Sequence, residues 1–365
     1  MNIYRSIHTI YSGHLSATKS CSSTRNLGSE NRPTGTNGNA LDSEGAQITI
    51  GSMRILIYGA GAMGLYFAAT LAQAGHDIHL KTRTPWLLSP GSQPVINVQR
   101  ADGTQESVSI ASVITDVPER IDVDAVLIAT KAWQVPGIVE ELDDKIPTSA
   151  ILLTVQNGVT APEHCARTLP ANPTVASTCV VIVERKSPQT VHLLGCEAQL
   201  TVGEFHTGSS AESLDHVQDM FDGTPVEITP TNDIHRALWK KLALIASYGG
   251  VGAVSHLTVG QTRFHDSTRN LVLEAIQETA KVAHAHGVTF TEQDVQDTFA
   301  IYTDVFAPGT TSSMQRDLAE GRPSELDDQV GEIVRRAEAG GVDGPVQNFL
   351  YRVLRAREEI VRNIE

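Results

Sequence analysis

The sequence predicts an α/β chain in which a doubly wound parallel sheet comes first and an all-helical domain follows. Three observations carry this. Short apolar runs alternate with helix-period segments over the first half of the chain. A glycine-rich turn joins the first run to the first helix. After Pro230 the strand-like runs give way to long helical patterns.

The first element is Arg54-Ile-Leu-Ile-Tyr58, nearly continuous in apolar character, as a parallel strand buried on both faces must be. It runs into Gly59-Ala-Gly-Ala-Met-Gly64 and a helix through Ala74, closed by Gly75, a residue suited to the turn after a helix. Asp77-Ile-His-Leu80 is the second strand, and Val123 to Thr130 and Ala150 to Val155 are further buried strands. Val175 to Val183, Thr190 to Leu194 and Ala198 to Val202 are expected to extend the sheet as antiparallel hairpins. A linker is placed near Glu227 to Thr231. The helical part opens at Asp233, an N-cap residue, and Leu242 to Val254 is a core helix too short and too glycine-rich to span a bilayer.

The domains are therefore set at residues 1–52, 53–229 and 230–365. The first is rich in Ser, Thr, Asn and Gly and is expected to be disordered. Arg5, Lys19 and Arg25 precede its first acidic residue, Glu30, which is the composition of a mitochondrial transit segment. A leader ahead of a start at Met53 is the reading slightly favoured. The net charge of −14 argues against a nucleic-acid partner, and no apolar run has the length of a membrane span. Cys21, Cys165, Cys179 and Cys196 form no CxxC pair or zinc spacing, which suits reduced thiols and a cytoplasmic setting. His284 and His286 are two apart and point to different sides of a helix, so no metal site is expected.

Gly59, Gly61 and Gly64 match G-x-G-x-x-G in the context that gives the pattern meaning, with a strand before it and a helix after it. The first glycine permits the turn, the second lets the backbone approach a pyrophosphate, and the third lets helix and strand pack closely. This is a Rossmann-like dinucleotide site, with Ala60, Ala62 and Met63 in the same loop. The end of the second strand reads His79-Leu-Lys-Thr-Arg83 and lacks the carboxylate that holds a ribose 2′-hydroxyl in NAD enzymes. Lys81 and Arg83 instead suit a 2′-phosphate, and NADP(H) is the expected cofactor. A solvated basic loop is the plainer account of the same residues.

In Asp233-Ile-His-Arg-Ala-Leu-Trp-Lys-Lys-Leu, helical spacing puts Arg236, Lys240 and Ser247 on one polar face and Lys241 among Leu238, Leu244, Ile245 and Tyr248. Burial on such a flank lowers a lysine pKa toward the range useful for proton transfer. A snorkelling lysine at the core edge fits the same spacing.

Taken together, Gly59-Ala-Gly-Ala-Met-Gly64, Thr130-Lys-Ala-Trp-Gln134, Gln156-Asn-Gly158, Leu238-Trp-Lys-Lys-Leu242, Ser312-Ser-Met-Gln-Arg-Asp317 and Ser324-Glu-Leu-Asp327 resemble the ketopantoate reductase (2-dehydropantoate 2-reductase) family in its own order. The resemblance implies NADPH-dependent reduction of a 2-keto acid to a 2-hydroxy acid, in a cleft between the two domains. It implies that Lys241 is the catalytic lysine and Glu325 its acidic partner, close to both substrate and cofactor. Ser313, Asn157 and Asp317 then face the substrate, while Lys131 and Asn157 lie on the cofactor side. Ser324 is read as an N-cap with Glu325 in the first turn of a helix.

Three positions depart from the family's pattern. Its lysine helix usually carries asparagines four and eight residues beyond the lysine, where this chain has Ile245 and Gly249. The asparagine usual after the Ser-Glu-Leu-Asp segment is replaced by Val330. Polar groups that would hold a substrate hydroxyl are thus missing, and Ile245 and Gly249 suit a more apolar side chain. The expected reaction is 2-dehydropantoate to pantoate, with a more apolar 2-keto acid as the alternative substrate. A non-catalytic NADP(H)-binding redox sensor is the alternative of another class. The expected partners are the small-molecule substrate and, as an oligomer, a homodimer.

Overall fold

The computed structural model describes residues 51–205 and 211–364; Cys21 and all but the last two residues of the segment expected as a leader lie outside them. Among the described residues twelve strands form two sheets: β1 (Arg54–Tyr58), β2 (Asp77–Lys81), β3 (Val95–Arg100), β4 (Gln105–Ser109), β5 (Ser112–Ile114), β6 (Ala125–Ile128), β7 (Ile151–Thr154), β8 (Thr174–Val180), β9 (Val183–Ser187), β10 (Thr190–Leu193), β11 (Gln199–Glu204) and β12 (Glu227–Pro230). The main sheet runs β12-β11-β8-β7-β6-β1-β2-β5, parallel throughout except where β11 meets β8. Its central strands are buried on both faces. Ile55 and Ile57 of β1 enter one core, shared with helix α1 (Ala62–Gln73). Leu56 and Tyr58 enter the other, under α2 (Val135–Leu142) and α3 (Thr160–Thr168). That two-sided burial is the reason the strand reads as unbroken apolar sequence.

The expected hairpin extension is corrected here. β8 and β11 do pair antiparallel in the main sheet, but β9 and β10 leave it. They join β3 and β4 in a second sheet, β4-β3-β10-β9, packed against α1. The pattern of burial explains the split. β8 and β11 are buried almost throughout, whereas β10 alternates and β9 is mostly exposed, so the last two fit only a sheet with one wet face. The segment read as a linker is also structured: Glu227–Pro230 is the edge strand β12, parallel to β11.

After α4 (Ala211–Met220) and β12, the chain is helical. α5 (Ile234–Ser255) is the hub, buried along nearly its whole length. Asp233 caps it by accepting from the Arg236 N–H at 3.0 Å. Around it pack α7 (Asp266–Ala285), α8 (Glu292–Ala300), α9 (Ser313–Ala319) and α11 (Pro345–Ile364), while α6 (Val259–Phe264) and α10 (Glu332–Gly340) complete the layer. The polar face of α5 is explained by one carboxylate. Asp294 takes two hydrogen bonds from Arg236 and an ion pair from Lys240 at 2.9 Å, all on a nearly inaccessible side chain. Burial alone would raise its pKa, but the hydrogen bonds from Arg236, Thr291 and Lys240 outweigh that and hold it well below the ordinary carboxylate value. Ser247, on the same face, is buried and meets Gln347 of α11.

Candidate active site

The glycine loop sits where β1 delivers the chain to α1. Gly59 has φ of +111°, and a Cβ there would lie 2.6 Å from the Thr130 methyl, so both conformation and space demand glycine. Gly64 lies against the carbonyl of Gly59, where a Cβ would come within 1.7 Å. Gly61 is different: a Cβ built there meets no protein atom within 4 Å. Its bare backbone serves no internal packing, and it stands at the N-cap of α1 with no side-chain cap and no acidic residue in the first turn. An open, uncapped helix N-terminus is the surface that a pyrophosphate fits. Ala60 is buried, and Ala62 and Met63 are partly buried against the core beneath the loop.

Of the two cations at the end of β2, only Arg83 is disengaged. It is exposed and has no partner among the described residues. Lys81 turns away, donating to the Thr115 carbonyl at 2.5 Å, with its nitrogen 3.9 Å from the Glu141 carboxylate and over the Tyr58 ring. Of the expected pair, the structure thus places one arginine free and one lysine engaged within the domain.

At the carboxyl ends of β6 and β7, Gln156 ties two loops together by donating to the carbonyls of Ile128 at 2.7 Å and Thr130 at 3.1 Å. This fixes the neighbours Lys131 and Asn157. Both reach across to the helical half. Lys131 lies 3.2 Å from Asp317 and 3.8 Å from Glu325, and the Asn157 amide donates to Glu325 at 3.5 Å. Asp317 is also forked by Arg322 at 2.8 and 3.1 Å.

Glu325 is buried, and its Oε2 also accepts from Gln329 at 3.4 Å. Ser324 stands at the start of a helical segment: its hydroxyl accepts from the Leu326 N–H and its own N–H is held by Glu358 of α11. The Glu325 carbonyl accepts from the Gln329 N–H, and the first turns widen into a π segment, Asp327–Gly331, that runs on into α10. The carboxylate is oriented by Asn157, Gln329 and Lys131. Asp328, next in line, is pushed up to about 6 by its own burial, with Glu325 and Asp327 adding repulsion, and its Oδ2 is buried without a partner.

Lys241 completes the cleft. It is 7% exposed, and its ammonium donates to the main-chain carbonyl of Cys179 at 2.6 Å, at the end of β8. Burial lowers its pKa, while the charge of the Cys179 thiolate form and of Glu325 acts in the opposite sense. Ile245, one turn on, is partly buried against the helical core. Gly249 faces Ser312, whose hydroxyl caps α9 by accepting from Gln315 at 3.0 Å. That leaves the hydroxyl of Ser313, half-buried at the first position of α9, with no assigned partner in the described residues. Sequence reasoning missed Gln329, which its spacing of four from Glu325 could have revealed. It also missed the Cys179 carbonyl, which no side-chain pattern encodes. Among the described residues no group of three or more His, Cys, Asp or Glu is disposed to hold a metal, and no helix is long and apolar enough to cross a membrane.

The family model described as Ketopantoate reductase PanE/ApbA matches residues 55–207, and its C-terminal counterpart matches residues 233–358. The 2-dehydropantoate 2-reductase of Vibrio cholerae is 27% identical over 308 residues, 84% of this chain and 98% of that protein. That of Nostoc sp. is 27% identical over 303 residues, 82% and 93% of the two chains. The PanE/ApbA family ketopantoate reductase from Ralstonia eutropha superposes with a TM-score of 0.73 at 25% identity, covering 85% of this chain and 100% of the other. A D-mandelate dehydrogenase solved with NADH and anilino(oxo)acetate shares the fold, with a TM-score of 0.74 at 21% identity over 85% and 99% of the two chains. Matched through both its sheet and its helical half, this chain belongs to the ketopantoate reductase family of oxidoreductases.

Proposed function

We propose that the protein reduces a 2-keto acid to the 2-hydroxy acid with NADPH, and that 2-dehydropantoate is its reference substrate. The observation that carries this reading is the buried Lys241 ammonium, held on a carbonyl in the same cleft as the oriented carboxylate of Glu325. A bound reduced nicotinamide supplies the hydride. Lys241 donates a hydrogen bond to the ketone oxygen and then its proton as charge develops there. A lysine with a lowered pKa gives up that proton more readily than a solvated one. Ser313 serves the substrate's polar end, and Glu325, held by Asn157, Gln329 and Lys131, fixes the charge opposite Lys241.

Cofactor contacts are assigned to the Gly59–Gly64 loop, Lys131 and Asn157. The preference for NADP(H) rests on Arg83, whose free guanidinium can fork a 2′-phosphate. A second reading of the substrate, a more apolar 2-keto acid, is supported by Ile245 one turn from Lys241 and by Gly249 packed on Ser312, since neither offers a hydrogen bond.

The test is oxidation of NADPH and NADH by the purified protein across 2-keto acids that include 2-dehydropantoate and branched and aromatic members. Turnover with NADPH preferred, and with that preference lost in Arg83→Ala, supports the reading. Tight NADPH binding with no turnover of any 2-keto acid overturns it.

A further inference from the structure

The guanidinium of Arg336, on α10, is held from three sides. Its Nη2 donates to Glu163 of α3 at 2.6 Å and its Nε donates to Glu332 at 2.7 Å. The group lies over the Trp239 ring of α5, 5.6 Å from the ring centroid. The Arg336 side chain is 17% exposed and that of Glu332 11%. Burial works against the charge, but the hydrogen bonds and charges of Glu163 and Glu332 outweigh it and hold the arginine pKa above its ordinary value. An ion pair this buried adds little stability beyond what apolar side chains of the same volume supply, because desolvation offsets the attraction. A planar fork on two carboxylates does fix direction.

Each partner leads to a group of the cleft. Trp239 stands two residues before Lys241 on the hub helix. Glu163 is in the first turn of α3, and Asn157 and Gly158 lie just ahead of that helix. Glu332 is forked by Arg335 at 2.7 and 3.0 Å, and Arg335 donates to the Asp327 carbonyl at 2.7 Å, two residues from Glu325. The sheet half and the helical half come close at the same place: a Cβ on Gly158 would lie 3.1 Å from the Asp328 carbonyl oxygen. The Asn157–Glu325 hydrogen bond is already 3.5 Å long, the limit for such a bond, so a small shift between α3 and the π segment breaks it.

On the reading of Lys241 as proton donor and Glu325 as its partner, we propose that Arg336 is a positioning residue for the reaction. With Glu163 it sets the placement of Asn157, on the sheet half, against Lys241 and Glu325 on the helical half. It acts through Trp239, Glu163 and Glu332 without touching the reacting atoms. Misplacing groups arranged for hydride and proton transfer by about 1 Å costs on the order of 10²-fold in rate.

Steady-state kinetics with NADPH and the 2-keto acid that the unaltered protein turns over fastest test this, beside NADPH fluorescence titrations and thermal melts. Glu163→Gln keeps the shape of the side chain and leaves Arg336 on Glu332, so the variant stays folded, and kcat is expected to fall about 3- to 10-fold. Arg336→Lys keeps a cation that cannot fork two carboxylates and lowers kcat about tenfold, and Arg336→Met lowers it about 10²-fold. NADPH affinity stays within about threefold, since the Gly59–Gly64 loop and Arg83 are untouched. Adding Glu163→Gln to Arg336→Met lowers kcat no further, as two partners of one interaction require. Folded variants that melt earlier but keep kcat overturn the proposal and leave the reductase reading standing. So do losses in kcat that add in full in the double variant. An unaltered protein that turns over no 2-keto acid overturns the reductase reading, and the role of Arg336 falls with it.

Discussion

The ammonium of Lys241 and the main-chain carbonyl of Cys179 are joined by a 2.6 Å hydrogen bond that ties the hub helix α5 to the end of strand β8. The bond crosses between the helical half and the sheet at a buried position. It gives a buried cation one fixed oxygen partner and leaves its other N–H bonds available to an incoming ketone. Lys241→Ala is expected to lower turnover by about 10²–10⁴-fold while leaving NADPH affinity within a small factor of the original. Fluorescence titration with NADPH beside steady-state rates separates the two effects. The pH dependence follows from the direction of the shift. Reduction needs the ammonium form, and burial lowers the pKa of Lys241 below its ordinary 10.5, so kcat falls with rising pH at a lower pH than a solvated lysine allows. A profile that shows no basic limb, or one unchanged in Lys241→Arg, contradicts this assignment.

Gly61 and Gly64 give opposite expectations although they stand in one motif. A methyl at Gly64 is driven into the Gly59 carbonyl, so Gly64→Ala must displace backbone and is expected to destabilise the fold by roughly 1–3 kcal/mol or more. A methyl at Gly61 meets only open space within the protein. Gly61→Ala should therefore melt as the original does, while binding NADPH at least about tenfold more weakly. Paired melting curves and NADPH titrations read the two outcomes independently. Normal NADPH binding by folded Gly61→Ala would remove the loop from the cofactor site.

Asp328 supplies a prediction about stability. Its carboxyl is raised from 3.8 to about 6, chiefly by burial and then by Glu325 and Asp327, and one of its oxygens has no partner. A carboxyl raised in the fold resists ionisation there. Its penalty is absent below its ordinary 3.8, grows as the pH climbs toward about 6, and is complete above that. Discounted for its partial exposure, the cost is about 1–2 kcal/mol at neutral pH. Asp328→Asn is thus expected to raise the midpoint of thermal unfolding at pH 7.5 and to lose that advantage on acidification. A gain that is the same at pH 4 and pH 7.5 would show that the effect is not electrostatic.

The features legible in the sequence are those whose cause is local. Gly59 takes the positive φ that its own turn requires, Gly64 packs on the Gly59 carbonyl within that turn, Asp233 caps the helix that it begins, and the apolar run of β1 records burial on both faces. The features that escaped depend on partners distant in the chain. Lys81 reads as a free cation until Glu141 and the Thr115 carbonyl arrive from α2 and the end of β5. Ser324-Glu325 is readable as a helix start, but that Glu358 of α11 holds the Ser324 N–H and that the first turns widen into a π segment is not. β9 and β10 look like an extension of the main sheet because strand character alone does not name the strand to be paired with.

Ile245 and Gly249, where the family's asparagines are usual, are not equivalent positions, and the difference yields the last prediction. A Cβ at Gly249 would stand 2.7 Å from the Ser312 hydroxyl and 3.0 Å from its Cβ. Alanine in a helix interior gains about 0.5–1 kcal/mol over glycine, but overpacking costs about 1–3 kcal/mol and displacing Ser312 also disturbs the α9 cap. The clash wins, so Gly249→Asn is expected to destabilise the protein and to give no useful gain in specificity. Ile245 is only partly buried, so an asparagine there can present its amide one turn from Lys241 without rebuilding the core. Ile245→Asn is expected to shift the ratio of kcat/KM values toward hydroxylated 2-keto acids and away from hydrocarbon ones by about 10- to 100-fold. The comparison to make is 2-dehydropantoate against its analogue lacking the hydroxyl, in both proteins. If the ratio is unmoved, Ile245 does not face the substrate, and the pocket reads the side chain from another element of the helical half.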